Sequence, residues 1–377
     1  MRKMNRRCIC CILIILICFM GTSLGETSTV ATISGAIAEF ESYGHAALDI
    51  SIEDFHAAGF ELGDVVTVCV NDFHKDMPYL SGYYVDYDEY FLREYPGTEY
   101  VAVCINYGSF KDAVDAEVGD TVTITLKTPG GERLLEEFSM LVYSNDRDNF
   151  ESDEVFANFR EVQSGGIAQN TLYRSASPID DQFCRAATAA RLMEAAGING
   201  VLNISDTPEA VEQFLMSDET PTGYYNALYM SGKVFVVPMK LDYRAEYMKD
   251  DVQKCFSAMS ELDPPYLIHC VEGKDRTGYL IVILQALMGT ELEEIEKEFM
   301  ISFENYYGIT ELKEPGKYEW IKETILEVML KTFLGEDYDK EMDGADVAEA
   351  TRRTLLDIGM TSDQIQLLCE KLAGNAK

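Results

Sequence analysis

Basic residues are scarce in this chain: 31 Lys and Arg stand against 65 Asp and Glu, a formal net charge of -34. The carboxylates are scattered through every segment after Gly25 and not gathered in one tail, which is the pattern of a solvated surface. Such a field repels polyanions, so it argues against nucleic acid as a partner, and any phosphate substrate must be held by a local positive pocket. Histidines number only 4, and His45, His56 and His74 show no metal-ligand spacing. After Gly25 the cysteines show no CxxC pair either, so neither a zinc site nor any other cofactor is expected. The apolar run Cys8–Met20 falls well short of the ~20 residues that span a bilayer.

That run instead has the build of a targeting segment. Arg2, Lys3, Arg6 and Arg7 form a basic start, the apolar run follows, and Ser23-Leu24-Gly25 offers small residues for cleavage. Residues 1–25 are expected to be a signal peptide on a secreted or extracytoplasmic protein. Cleavage is the first reading and an uncleaved anchor the second; membrane contact arises only with the anchor. Cys8, Cys10, Cys11 and Cys18 lie inside this segment. Cys69, Cys104, Cys184, Cys255, Cys270 and Cys369 remain. Cys69 in VVTVCV and Cys104 in VAVCIN both sit in strand-like runs. They make either a disulfide or two buried free thiols, and the low cysteine density favours free thiols.

Two patterns follow along the chain. Residues 26–145 hold short β-branched runs (VATISGAI, GHAALDIS, DVVTVCV, EYVAVCIN, DTVTITL) separated by Gly, Asp and Pro. This reads as a small β-rich barrel or sandwich, with a helix only near Glu53–Gly59. The polar stretch Ser144–Asp148 marks the boundary. From 149 to 377 strands and helices alternate. Strands are expected at 172–174, 200–205, 233–239 and 266–270. Helices are expected over Asp180–Ala196, Pro208–Met216, Glu246–Leu262, Thr277–Met288, Glu291–Phe303, Tyr318–Phe333 and Ser362–Leu372. The alternation indicates an α/β domain: a central, largely parallel sheet flanked by helices.

The chemistry is carried by His269-Cys270-Val271-Glu272-Gly273-Lys274-Asp275-Arg276-Thr277-Gly278. A buried strand ends at a cysteine, a short loop follows, and a buried helix begins at Arg276. Loop amides and a helix N-terminus then converge on one point, an anion site formed by residues 271–277. The same field favours a thiolate at Cys270. Five residues between Cys270 and Arg276 let the guanidinium face the sulfur, where its planar fork grips two phosphoryl oxygens. Gly273 permits the tight turn, and Thr277 can donate its hydroxyl to the sulfur. The implied reaction is attack on phosphorus, a phosphocysteine intermediate and its hydrolysis. A structural buried thiol would have no use for Arg276 and Gly273.

The string HCVEGKDRTG resembles the loop of cysteine phosphatases of the protein tyrosine phosphatase superfamily, and its Lys-Asp pair resembles the bacterial atypical subgroup. Leu172-Tyr173-Arg174-Ser175 is similar to the LYRS element that opens the catalytic domain there. The resemblance spans about residues 155–310. It implies a cysteine-phosphatase fold acting on phosphorylated protein, phosphotyrosine above all, and in some members on phosphoinositides. Where that subgroup carries Asp-Leu-Arg, this chain has Asn203-Ile204-Ser205, with Asp206 close by.

Two candidates stand for the general acid. Asp242 follows the third strand of the α/β part, in the region of the superfamily's acid loop, and Asp275 lies inside the phosphate loop. Lys274 is either a contact for a second phosphate or a solvated lysine. Arg174 is expected to be a structural ion-pair partner. A competing reading of the whole chain is a surface or adhesion protein that recognises phosphate with little turnover. The intact Cys270, Gly273, Arg276 and Thr277 favour the enzyme.

Overall fold

The computed structural model describes residues 30–217, 222–240, 246–335 and 338–375. The signal-like segment and Asp242 lie outside the described residues. The chain divides into two compact units, residues 1–141 and 142–377.

The first unit is a closed barrel of seven strands: β1 (Thr32–Phe40), β2 (Ala46–Ser51), β3 (Val65–Val70), β4 (Phe73–Leu80), β5 (Tyr90–Arg93), β6 (Tyr100–Ile105) and β7 (Thr121–Thr128). Their order around the barrel is β1-β2-β6-β5-β4-β3-β7, and β7 closes back on β1. Alternation drives the closure. Val66, Val68 and Val70 of β3 and Val122 and Ile124 of β7 point inward, with polar residues between them. Phe55, on the short helix Ile52–Ala57, stacks on Phe60 at 4.2 Å between ring centres and plugs the core. The five β-branched runs account for β1, β2, β3, β6 and β7. Strands β4 (FHKDMPYL) and β5 (YFLR) carry charge, proline and few β-branched residues, and they form because neighbouring strands supply their ladders. Cys69 and Cys104 are free thiols, and burial pushes the Cys104 thiol up to about 12.

The second unit is built on a five-stranded sheet: β8 (Arg160–Glu161), β9 (Leu172–Ser175), β10 (Gly200–Asn203), β11 (Val234–Val236) and β12 (Tyr266–His269). The order is β11-β10-β12-β9-β8; only β8 is antiparallel. This is the mixed α/β architecture with a barrel that the sequence pattern implies. The chief local difference is the first helix, which spans Ala186–Ala195 and not Asp180–Ala196. Its expected first turns are a loop in which Cys184 adopts φ 59°. Helices without a clear signal include Gly223–Met230 and Gly344–Asp357, with its Asp343 cap and many charges, and the short Asp153–Phe156; in the barrel unit the helix expected near Glu53–Gly59 is joined by Phe110–Ala113 and Arg133–Ser139. Among the described residues, no helix is long and apolar enough to cross a membrane.

Candidate active site

Strand β12 lies between β10 and β9, and all three run in the same direction, so their C-terminal ends share one edge. Loops at that edge are where parallel sheets place ligands. β12 stops at His269, and a helix runs from Asp275 to Leu287, leaving Cys270–Lys274 as the connecting loop. Thr277 through Leu287 are all buried, so the helix is anchored by apolar side chains worth roughly 1.5–3 kcal/mol each when fully buried. That packing fixes its N-terminus. Cys270 is 3% exposed at the loop's start.

The loop is held from outside by its carbonyls. Val271 O accepts from Ser177 N at 3.0 Å. Glu272 O accepts from Tyr306 Oη at 2.6 Å and Asn158 Nδ2 at 3.3 Å. Gly273 O accepts from Arg174 Nη2 at 2.7 Å and Asn158 Nδ2 at 3.1 Å. Lys274 O accepts from Arg174 Nη2 at 3.1 Å and Gly278 N at 2.8 Å. In a trans peptide the carbonyl and the next N–H point oppositely. Tying four successive carbonyls outward therefore turns the N–H groups of Glu272, Gly273, Lys274 and Asp275 the other way. Among the described residues, the first three of those N–H groups donate to no protein acceptor. Such a row of unsatisfied donors is an anion nest. Gly273 is required twice over: its φ is +66°, and a Cβ would run into the Ser175 carbonyl and within 2.7 Å of Ala176 N.

Arg174 does more than pair. Fully buried on β9, it donates to the two loop carbonyls and to Glu298 Oε2 at 2.8 Å. The other oxygen of Glu298 accepts from Arg160 Nε at 2.7 Å. Arg160 in turn holds Asn158 Oδ1 at 2.6 Å, which orients the amide that grips the loop. Burial pulls the Arg160 pKa down to about 10 against the opposing pull of Glu298, with Arg174 adding to the fall.

The two loop cations differ. Arg276 is half-buried, and among the described residues its one hydrogen bond goes to Met239 O at 3.3 Å, leaving most of its fork open. Lys274 is not the solvated lysine of one sequence reading. It is 7% exposed, bonds Tyr307 Oη at 3.0 Å, and lies over the rings of Phe303, Tyr306 and Tyr307. Burial pulls its pKa down, but the carboxylates of Asp275 and Glu272 outweigh that and raise it above the usual lysine range. Asp275 stands 3.6 Å from the ammonium at the first turn of the helix. Glu272 accepts from Tyr143 Oη.

His269 is fully buried, and burial, reinforced by the charge of Arg276, pushes its pKa down to about 3. It is therefore neutral at ordinary pH. Its Nε2 is 3.2 Å from Tyr225 Oη. Thr277 Oγ1 is buried with no hydrogen-bond partner among the described residues, so the expected bond to the sulfur is not formed.

The structure thus brings Cys270, Val271, Glu272, Gly273, Lys274, Asp275, Arg276 and Thr277 into one loop and helix start. Asn158, Glu298, Tyr306, Tyr143 and Tyr225 escaped the sequence reading, because they lie on other elements with no motif of their own. Asp180 is another. The turn that precedes it is pinned to the loop through Ser177, whose N–H donates to Val271 O and whose Oγ accepts from Asp180 N at 3.0 Å. Burial raises the Asp180 carboxyl, and the nearby charges of Asp206 and Asp181 add to the rise.

An anion nest that starts at a buried thiol and runs into a helix carrying Arg276 in its first turn is the arrangement of a phosphatase-type site. The profile of the tyrosine phosphatase family matches residues 154–345, and the chain belongs to that family. No curated protein matches the chain. Among solved structures it is similar to an uncharacterized conserved protein from Thermotoga maritima, at 18% identity and TM-score 0.24, over 30% of this chain and 42% of that one. The chain thus spans less than half the length of the Thermotoga protein. It is also similar to the core catalytic domain of the PP-IP phosphatase Siw14 from S. cerevisiae in complex with citrate, at 22% identity and TM-score 0.27, over 44% and 91%. A second Siw14 catalytic core matches at 20% identity and TM-score 0.25, over 46% and 94%.

Proposed function

We propose that this protein is an exported, cysteine-dependent phosphomonoester hydrolase that acts on phosphotyrosine-type substrates and on phosphoinositides. The observation that supports it most is the outward anchoring of four loop carbonyls beside a buried Cys270 and an open Arg276. The nest amides and the guanidinium receive the equatorial phosphoryl oxygens, and they bind most strongly as charge builds on them in the transition state. The Cys270 thiolate attacks phosphorus and forms an S–P bond as the ester P–O bond breaks. The leaving oxygen takes a proton from an aspartic acid, Asp242 or Asp275. Water then cleaves the S–P bond, releasing phosphate and regenerating the thiolate. The barrel of residues 26–145 is an accessory domain to the catalytic part, 149–377.

Hydrolysis of an aryl phosphate by the purified protein tests this reading. Cys270→Ser should abolish turnover while vanadate still binds, because the nest is built from backbone and Arg276. Arg276→Lys should be severely impaired, since a point charge cannot replace the bidentate fork. Turnover near wild type in Cys270→Ser would remove the cysteine from the mechanism. A panel of phosphopeptides, phosphoinositides and inositol phosphates then separates the substrate classes.

A further inference from the structure

The polar stretch that marks the boundary in the sequence is built into the second compact unit, residues 142–377. Its clamp is Arg185. That side chain is 2% exposed and donates to Ser144 O and Asn145 Oδ1 at 2.9 Å each. Its Nε holds Phe156 O at 2.9 Å. The guanidinium lies over the rings of Tyr143, Phe156 and Tyr306, 5.0, 4.7 and 5.0 Å from their centres. These hydrogen bonds go to uncharged oxygens, and the ring faces supply further electrostatic support for the buried cation. So fixed, the segment delivers Tyr143 to the phosphate loop. Its ring packs on Tyr306 at 4.7 Å and on Tyr307 at 5.7 Å between centres, and its Oη donates to Glu272 Oε1. Burial and the adjoining carboxylate raise the Tyr143 hydroxyl above the usual phenol range, so it remains a donor at ordinary pH.

The acceptor is an acid on an anion site. Glu272 carries its carboxylate on the same residue whose N–H is one of the free donors of the nest. Left loose, that carboxylate is an oxyanion tethered beside an oxyanion site. It competes for the nest amides and repels a phosphoryl dianion. Among the described residues, Tyr143 is the one hydrogen-bond donor to it. We propose that residues 143–145, clamped by Arg185, form a latch that draws the Glu272 carboxylate off the nest and so sets the affinity of the site for phosphoryl groups. Tyr143 is a positioning residue that acts through Glu272, and the proposal rests on the phosphatase reading for its effect on turnover. The held charge also has a second use. Against the burial that opposes it, the Lys274 ammonium is supported by Asp275 and then by Glu272.

Orthovanadate titrated calorimetrically into the full chain reads the affinity, and turnover of an aryl phosphate reads kcat and KM apart. Tyr143→Phe keeps the ring and removes the hydroxyl. It should weaken vanadate about tenfold and raise KM by a similar factor, with kcat within about threefold, the scale of one unit charge released beside an anion site. Tyr143→Phe combined with Glu272→Gln should return most of that loss, because the released group no longer carries charge. Glu272→Asp keeps the charge but draws it back from Tyr143. It should show the same weakening with the tyrosine intact, and it carries the test if Tyr143→Phe has no cooperative melt. Vanadate affinity within about twofold of wild type in folded Tyr143→Phe overturns the latch. A double variant as weak as Tyr143→Phe alone does so too, since the tyrosine would then act by packing. If wild type binds vanadate but turns over no phosphate ester, the phosphatase reading fails while the affinities still decide the latch. If it binds no vanadate, the nest fails and the latch with it.

Discussion

Glu298→Gln is the sharpest probe of how the phosphate loop is supported. The carboxylate is 8% exposed and divides its two oxygens between Arg174, fully buried, and Arg160, mostly buried. A glutamine can present its oxygen to one guanidinium, but it then points an NH2 at the other. Two cations, one fully and one mostly buried, lose the counter-charge they share, and a donor meets a donor. Breaking a buried ion pair by removing one partner costs about 3–5 kcal/mol. At roughly 2–4 °C per kcal/mol for a unit of this size, the melting temperature should fall by about 6–20 °C. Scanning calorimetry checks this. Activity should fall as well, at temperatures where the variant is still folded, because Arg174 is the clamp on the Gly273 and Lys274 carbonyls. Adding Arg160→Met should regain part of the stability, since it removes one of the stranded cations, but it should not regain the activity. A melting temperature within about 2 °C of wild type for Glu298→Gln would refute the buried-counterion argument.

Gly273→Ala should inactivate the enzyme: the φ of +66° costs a substituted residue about 1–3 kcal/mol, and the Cβ collides with the Ser175–Ala176 peptide. Vanadate titration checks it, and unchanged affinity would show that the nest tolerates a side chain. His269 should make stability fall with acid. Its folded pKa of about 3 lies below the ordinary 6.5, so the unfolded state binds the extra proton between those values. Stability is full above the ordinary value and drops by about 2 kcal/mol on going from pH 8 to pH 5. His269→Gln should remove that share of the slope in urea melts measured across pH, and an identical slope would place the imidazole in water. For the general acid, Asp242→Asn should cost roughly 10²–10⁴-fold on a poor leaving group such as tyrosyl phosphate and far less on an activated aryl phosphate. Asp275→Asn should instead hurt all substrates about equally, because Asp275 stands 3.6 Å from Lys274 and helps hold it. Exchanged patterns would move the acid into the loop.

The amino-acid order by itself determined the strongly patterned elements and the reacting string. Alternating Val and Ile at β3 and β7 made those strands amphipathic whatever they paired with, and the apolar helix Asp275–Leu287 could only be buried. Cys270, Gly273, Arg276 and Thr277 are close in the chain, so their shared loop was legible as a spacing. Closure of the barrel was not, because β4 and β5 have little strand preference and owe their form to ladders with partners distant in sequence. The support of the loop was hidden for the same reason. Asn158, Arg174 and Glu298 reach Glu272, Gly273 and Lys274, or each other, across sequence separations of about a hundred residues or more, and Tyr306 reaches Glu272 from another helix; the parallel packing of β9 against β12 brings Arg174 to the loop's edge. Lys274 shows the limit most clearly. A lysine beside an aspartate reads as solvated, but the aromatic face of the helix Leu292–Tyr307 folds over it, and burial among three rings with two nearby carboxylates is a property of the tertiary packing alone.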